Sequence, residues 1–113
     1  MISARTKWTG IDKETRQYIL ERDKHCIICG KTNFLTIAHI FVNRSHGGKG
    51  CKENLVCLCA DCHYNILDNP LGEKYNKLSK KYLEYCKNYL INKENIEINE
   101  HFLANLIFSR PLK

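Results

Sequence analysis

Two C-x-x-C pairs constrain this chain more than any other feature. Cys26 and Cys29 form the first, in "CIICG"; Cys59 and Cys62 form the second, in "CADCH", with twenty-nine residues between them. Each pair sets two thiols on one tight turn, and Gly30 supplies the backbone freedom that the first turn needs. Four thiolates at this spacing suit zinc, which takes sulfur ligands tetrahedrally and has no redox chemistry of its own. A redox C-x-x-C is the competing reading, and two such pairs at this separation make it the poorer one. Four protein ligands leave no coordination position open. The expected zinc is therefore structural: it clips a long loop and adds folding free energy to a small core.

The core has to be small, because 113 residues make one domain (1–113) and no more. Hydrophobic residues are 43% and charged residues 27%, a balance that supports a folded domain in need of a staple. Seven cysteines, an odd number, argue against a fully paired disulfide framework. "MISARTKWTG" carries no apolar leader region, and no apolar run is long enough to span a bilayer. The expectation is a cytoplasmic protein with no membrane partner, whose thiols stay reduced. Cys51, Cys57 and Cys86, outside the pairs, read as buried small hydrophobes or incidental residues. Eighteen Lys plus Arg against twelve Asp plus Glu give a formal charge of +6. A basic domain favours a polyanionic partner, and nucleic acid is the commonest.

Residues 1–11 read as a flexible basic arm. A helix is expected from Asp12, as its cap, to Arg22, then a strand from Leu35 to Val42, in "LTIAHIFV". "NRSHGGKG" is a glycine-rich loop, "ENLVCL" a second extended piece, and a helix is expected from Ala60 to Leu67 before "DNPLG" breaks it. These pieces make up a unit spanning 12–70. The remainder, 72–113, reads as a helical extension. Its long helix runs from Glu73 to Lys93, with Tyr75, Leu78, Tyr82, Tyr85 and Tyr89 in one stripe, and a short one follows, ended by Pro111. The stripe reads as a packing face. Its heptad-like spacing would also let two chains pair as a homodimer, or serve a zinc-stabilised interaction adaptor.

Inside the loop that zinc would clip lie Ala38-His39-Ile40, Gly47-Gly48 and Glu53-Asn54-Leu55-Val56; His63 follows Cys62 directly. With Cys26-x-x-Cys29 and Cys59-x-x-Cys62, these residues resemble the HNH nuclease family, and the best match is to its zinc-clipped, phage- and restriction-associated members. The resemblance covers residues 20–70. It implies an α+β fold, a small ββα-metal core with a four-cysteine structural zinc site, flanked by N-terminal and long C-terminal helices. It also implies a DNA endonuclease that needs a divalent ion such as Mg²⁺ or Mn²⁺ and no small-molecule cofactor.

By that resemblance His39 is the general base that takes a proton from the attacking water. Asn54 holds the active-site backbone or reaches the metal, and His63 is a ligand of the catalytic ion. Phosphodiester hydrolysis needs such a set: an activated water, charge neutralisation at phosphorus and a stabilised leaving oxygen. Many family members carry a ligating Asp or Glu just before the first histidine, where this chain has Ala38. Asp68 is the candidate replacement. On an α-helix an offset of five residues lies about 140° around the axis from His63, so co-ligation requires the helix to end or bend. A zinc-clipped nucleic-acid-binding module without cleavage is the alternative that Ala38 favours. Arg44 and Lys49 flank the glycine loop as candidate phosphate contacts; His25, His46 and His101 have no motif behind them.

Overall fold

In the computed structural model, which describes residues 3–68 and 72–108 and all of their side chains except those of 72–76, the two sulfur turns bracket a two-stranded sheet. Strand β1 (Leu35–His39) pairs antiparallel with β2 (Leu55–Cys59), Leu35 opposite Cys59 and His39 opposite Leu55. Four α-helices surround it: α1 (Ala4–Thr9), α2 (Lys13–Asp23), α3 (Gly72–Lys93) and α4 (Glu100–Leu106). A π-helix, Asp61–Leu67, leads out of β2. The fold is α+β.

β2 is buried along its whole length because both faces of the sheet are covered. On one face Ala38, Val56 and Leu58 join Ile40, Cys86 and Leu90, with Tyr82, Leu83 and Tyr89 of α3 packed against them. On the other, Ile37, Leu55 and Cys57 meet Ile19 of α2, with Ile11 and Leu35 alongside. Alternation along the strands separates these sets, as the pleat requires.

Asp12 caps α2, its Oδ1 accepting from the Thr15 N–H at 2.7 Å. At the other end of α2 an ion-pair network ties helix to sheet and to α3. Arg22 Nε donates to Asp23 Oδ1 at 2.7 Å and Arg22 Nη1 to Glu94 Oε2 at 3.2 Å, with all three side chains almost wholly buried. Asp23 also accepts from the Tyr89 hydroxyl (2.6 Å) and from the Cys57 N–H (2.8 Å). Breaking one member would strand buried charge, so the network holds α2, β2 and the end of α3 in one arrangement.

The structure corrects several expectations. Residues 4–9 are not a flexible arm but helix α1, capped by Ser3, and Trp8 of α1 donates its Nε1–H to the Leu106 carbonyl at 3.2 Å. Strand β1 ends at His39 rather than Val42. The Phe41 and Val42 N–H groups leave the ladder for the Asn54 side chain, at 2.7 and 3.1 Å. The Ala60–Leu67 helix is π-helical, its last turn closed by the Asp68 N–H on the His63 carbonyl at 2.9 Å. The aromatic stripe of α3 splits: Tyr82 and Tyr89 pack on the core while Tyr85 is 53% exposed, and the fully buried positions beside them are Cys86 and Leu90. The side chain of Tyr75, the start of the "DNPLG" break beyond Asp68, and Pro111 lie outside what is described.

The glycine loop is gripped from both sides. The Gly50 N–H bonds to the Trp8 carbonyl, the Lys49 N–H to the Leu106 carbonyl, and Gly48 bridges to Ile107. A Cβ at Gly48 would run into the Val42 carbonyl, and one at Gly50 into that of Gly10. Both glycines are demanded by close backbone approach.

Candidate functional site

The four cysteines converge. The sulfurs of Cys26, Cys29, Cys59 and Cys62 all lie within 4.8 Å of one another, and Cys29 Sγ is 3.5 Å from Cys59 Sγ. Zinc–sulfur bonds of about 2.3 Å in a tetrahedron separate the sulfurs by about 3.8 Å, so the cluster fits that ion. Each turn also aims a backbone N–H at its first sulfur, Cys29 N–H at Cys26 and Cys62 N–H at Cys59, both at 3.5 Å. Burial pushes the Cys26 thiol up, but the N–H groups of Cys29, Cys59 and Ile28 outweigh it and bring it down to about 7. Burial and neighbouring thiols push Cys62 upward, a conflict that a bound cation removes. Among the described residues this is the one group of three or more such donors gathered closely enough for a single ion. Cys57 and Cys86 are inert core thiols, raised by burial to about 11 and about 12, while Cys51 is half-buried.

The histidines converge elsewhere. His39, His63 and Asp68 line one cavity of about 410 Å³, together with Thr36, Tyr64, Arg16 and Arg44. Among the described residues no strand pairs with the outer edge of β1. His39 and Thr36 leave β1 on opposite faces and both reach the cavity along it.

His39 sits at the end of β1, where its Nε2 is 2.9 Å from the Thr9 carbonyl. A carbonyl only accepts, so the neutral ring carries its proton on Nε2 and keeps a lone pair on Nδ1. Burial lowers the proton affinity of His39, and the charges of Arg44 and His63 act in the same direction. The Thr9 bond and Asp68 oppose them without prevailing. A ring that stays neutral with one free nitrogen is equipped to accept a proton.

His63, 9% exposed, follows the last sulfur ligand and so inherits its fixed position. Its Nε2 is 2.9 Å from Asp68 Oδ2, and its Nδ1 is 2.7 Å from Thr36 Oγ1. The π-turn answers the geometric objection to this pair. In a turn closed from residue i to i+5, the later residue comes back over the earlier one. Tyr64 stacks on the His63 ring, centroids 4.3 Å apart and planes at 19°. Asp68, 38% exposed at its side chain, is the open side of the pair.

Asn54 is fully buried and does not line the cavity. Its Oδ1 accepts from the Phe41 and Val42 N–H groups. Its Nδ2 donates to the carbonyls of Val42 and Lys49, at 2.9 and 3.0 Å. Of the two roles left open for it, the geometry supports only holding the backbone. Of the two loop cations, Arg44 lines the cavity, whereas Lys49 Nζ lies over the Trp8 ring, 4.8 Å from its centroid.

Three participants escaped the sequence reading: Thr36, Arg16 and the Thr9 carbonyl. Thr36 is three residues before His39, outside the motif; register sets it opposite Leu58, and the π-helix that follows β2 brings His63 to it. Arg16 stands one turn into α2 with no motif around it, and a main-chain carbonyl has no side-chain signature. No helix among the described residues is long and apolar enough to cross a membrane. Comparison with family models, with curated proteins and with solved structures found no match to this chain.

Proposed function

We propose that this chain is a small HNH-type endonuclease that hydrolyses DNA phosphodiester bonds, its ββα-metal core made of β1, β2 and the π-helix and clipped by a structural zinc on Cys26, Cys29, Cys59 and Cys62. The observation that carries this reading is the convergence of His39 and the His63–Asp68 pair on one cavity. His39 takes a proton from water through Nδ1, the nitrogen that the Thr9 carbonyl leaves free. His63 Nε2 and Asp68 would hold a divalent ion such as Mg²⁺ or Mn²⁺, a set of two ligands that leaves positions for water and phosphate oxygens. When bound, such an ion supplies charge neutralisation at the phosphate and stabilisation of the leaving oxygen. Arg16 and Arg44 line the same cavity as two positive charges for a phosphate backbone, and the net-basic chain, +6 in formal charge before zinc binds its thiolates, draws a polyanion toward it. Asn54 acts through the backbone that joins β1 to the glycine loop.

The test is a plasmid-nicking assay with the zinc-loaded protein and Mg²⁺ or Mn²⁺. His39→Ala is expected to slow cleavage by about 10²–10⁴-fold, the usual scale for losing a general base, with folding unchanged. Undiminished cutting by that variant would remove His39 from the role. A second reading, a nucleic-acid-binding module without cleavage, is favoured by Ala38: it is 1% exposed within the core and offers no ligand where family members carry a carboxylate. Salt-sensitive DNA binding with no cleavage under any divalent ion would select it.

A further inference from the structure

We infer that Thr36 is a positioning residue for the divalent ion, fixing the His63 tautomer so that Nε2 is the free nitrogen beside Asp68; the inference rests on the nuclease reading. The Thr36 hydroxyl owns one proton, and that proton goes to the Leu58 carbonyl at 2.8 Å. The carbonyl can only accept, so Thr36 Oγ1 faces His63 Nδ1, 2.7 Å away, as an acceptor. The proton on the ring must then sit on Nδ1. In neutral His63 this leaves a lone pair on Nε2, pointing at a carboxylate oxygen 2.9 Å distant. Two acceptors facing each other at that range repel unless a cation lies between or beside them. A proton or a metal ion meets that need, and a divalent ion meets it while keeping the ring neutral.

The relay runs from backbone to site: Leu58 carbonyl, Thr36 hydroxyl, His63 ring, Asp68 carboxylate. Its anchor is the antiparallel register, which sets Thr36 directly opposite Leu58. The π-turn then supplies the other end by returning Asp68 over His63. A metal-ligating histidine whose second nitrogen donates to a fixed acceptor is held in one orientation, and removing such a partner costs about 10–100-fold in metal affinity. Thr36 supplies that partner from a strand rather than from a neighbouring carboxylate, so the ring is oriented with no added negative charge in the cavity.

The experiment uses the full chain carrying zinc at the four cysteines, with Mn²⁺ as the probe. Mn²⁺ affinity is measured by electron paramagnetic resonance, and the His63 tautomer by ¹⁵N resonances of its ring before Mn²⁺ is added. Wild type is expected to carry the proton on Nδ1. Thr36→Val, equal in shape and well suited to a strand, is expected to lose that preference and to bind Mn²⁺ about 10–100-fold more weakly. Thr36→Ser keeps the hydroxyl and is expected to stay close to wild type in both readouts. A wild-type ring protonated on Nε2, or a Thr36→Val protein that binds Mn²⁺ as wild type does, overturns the inference and leaves the nuclease reading standing. A wild-type protein that binds no Mn²⁺, with binding absent also in Asp68→Asn, overturns both.

Discussion

The sulfur cluster and the histidine cavity share one short element, and they are built by opposite rules. Cys62 lies in the first turn of the π-helix, while Asp68 closes its last. At the sulfur end, four cysteines come from two local turns and would use every coordination position on one ion. At the cavity end, α2, β1, the segment around Arg44 and the π-helix each line the space, and α1 reaches it through the Thr9 carbonyl on His39. The closed end is suited to holding the chain together. The open end is suited to chemistry because its geometry is imposed from outside, by Thr9, Thr36 and the last sulfur ligand. A rigid, fully satisfied anchor one residue from a reactive group is how a small domain keeps a site in register.

If that division is right, removing the anchor should cost far more than altering the cavity. Structural zinc sites contribute about 10–16 kcal/mol of binding free energy at neutral pH, which equals or exceeds the whole stability of an ordinary domain. Stripping zinc with a chelator, or replacing Cys59 by Ser, is expected to unfold the chain, read as loss of the far-ultraviolet helical signal in step with zinc content. A chelated protein that keeps its fold and its Mn²⁺ affinity would break the comparison at its strongest point, since the cavity would then not depend on the sulfur anchor.

Asn54 tests the next level, because it belongs to neither end and supports one of them. Asn54→Ala strands two N–H groups and two carbonyls between β1 and the glycine loop, those of Val42 buried and those of Phe41 and Lys49 part-buried. Each stranded buried group costs about 1–3 kcal/mol, and local rearrangement recovers part of the sum, so a loss of about 3 kcal/mol in denaturant unfolding is expected. Zinc content should be unchanged while cleavage falls. Equal loss of zinc would show that the two ends are not separable.

How far each end could be read in advance follows the same contrast. The cysteines were legible because ligand spacing on a tight turn is a local property of sequence, whereas His39 and His63 were singled out by the family resemblance and not by any local rule. Asn54 was visible as a residue but not as a role: only the structure shows all four of its hydrogen-bonding positions spent on backbone. Helix α1 was misread because Arg5 and Lys7 look like a solvated arm. The signal against that reading was Trp8, the one aromatic ring in the run, whose indole meets α4. The cavity's other supports come from register and from packing between segments thirty or more residues apart, such as Thr9 with His39. Hydrophobic period and turn chemistry do not encode which carbonyl a ring will meet. The π-turn was legible only as a contradiction, an i, i+5 pair that an α-helix would hold apart.

The smallest expected effect is the most specific to the cavity. Burial, with Arg44 and His63, places the proton affinity of His39 below the ordinary imidazole value of about 6.5. The neutral ring is the active form in the proposed mechanism. Cleavage should therefore be independent of this group above that value and fall as pH drops through the lowered one. The stability sign agrees. Between the two values the unfolded chain binds the proton and the folded chain does not, so the contribution of His39 is complete above the unfolded value and is lost as pH falls through the folded one. Arg44→Gln removes one of the charges that lowers it, so the acid limb of the cleavage profile should move up toward the ordinary value. High salt should move the wild-type limb the same way, because Arg44 is exposed and its field is screened. An acid limb at or above the ordinary value in wild type, unmoved by Arg44→Gln, would mean that the group controlling cleavage is not His39.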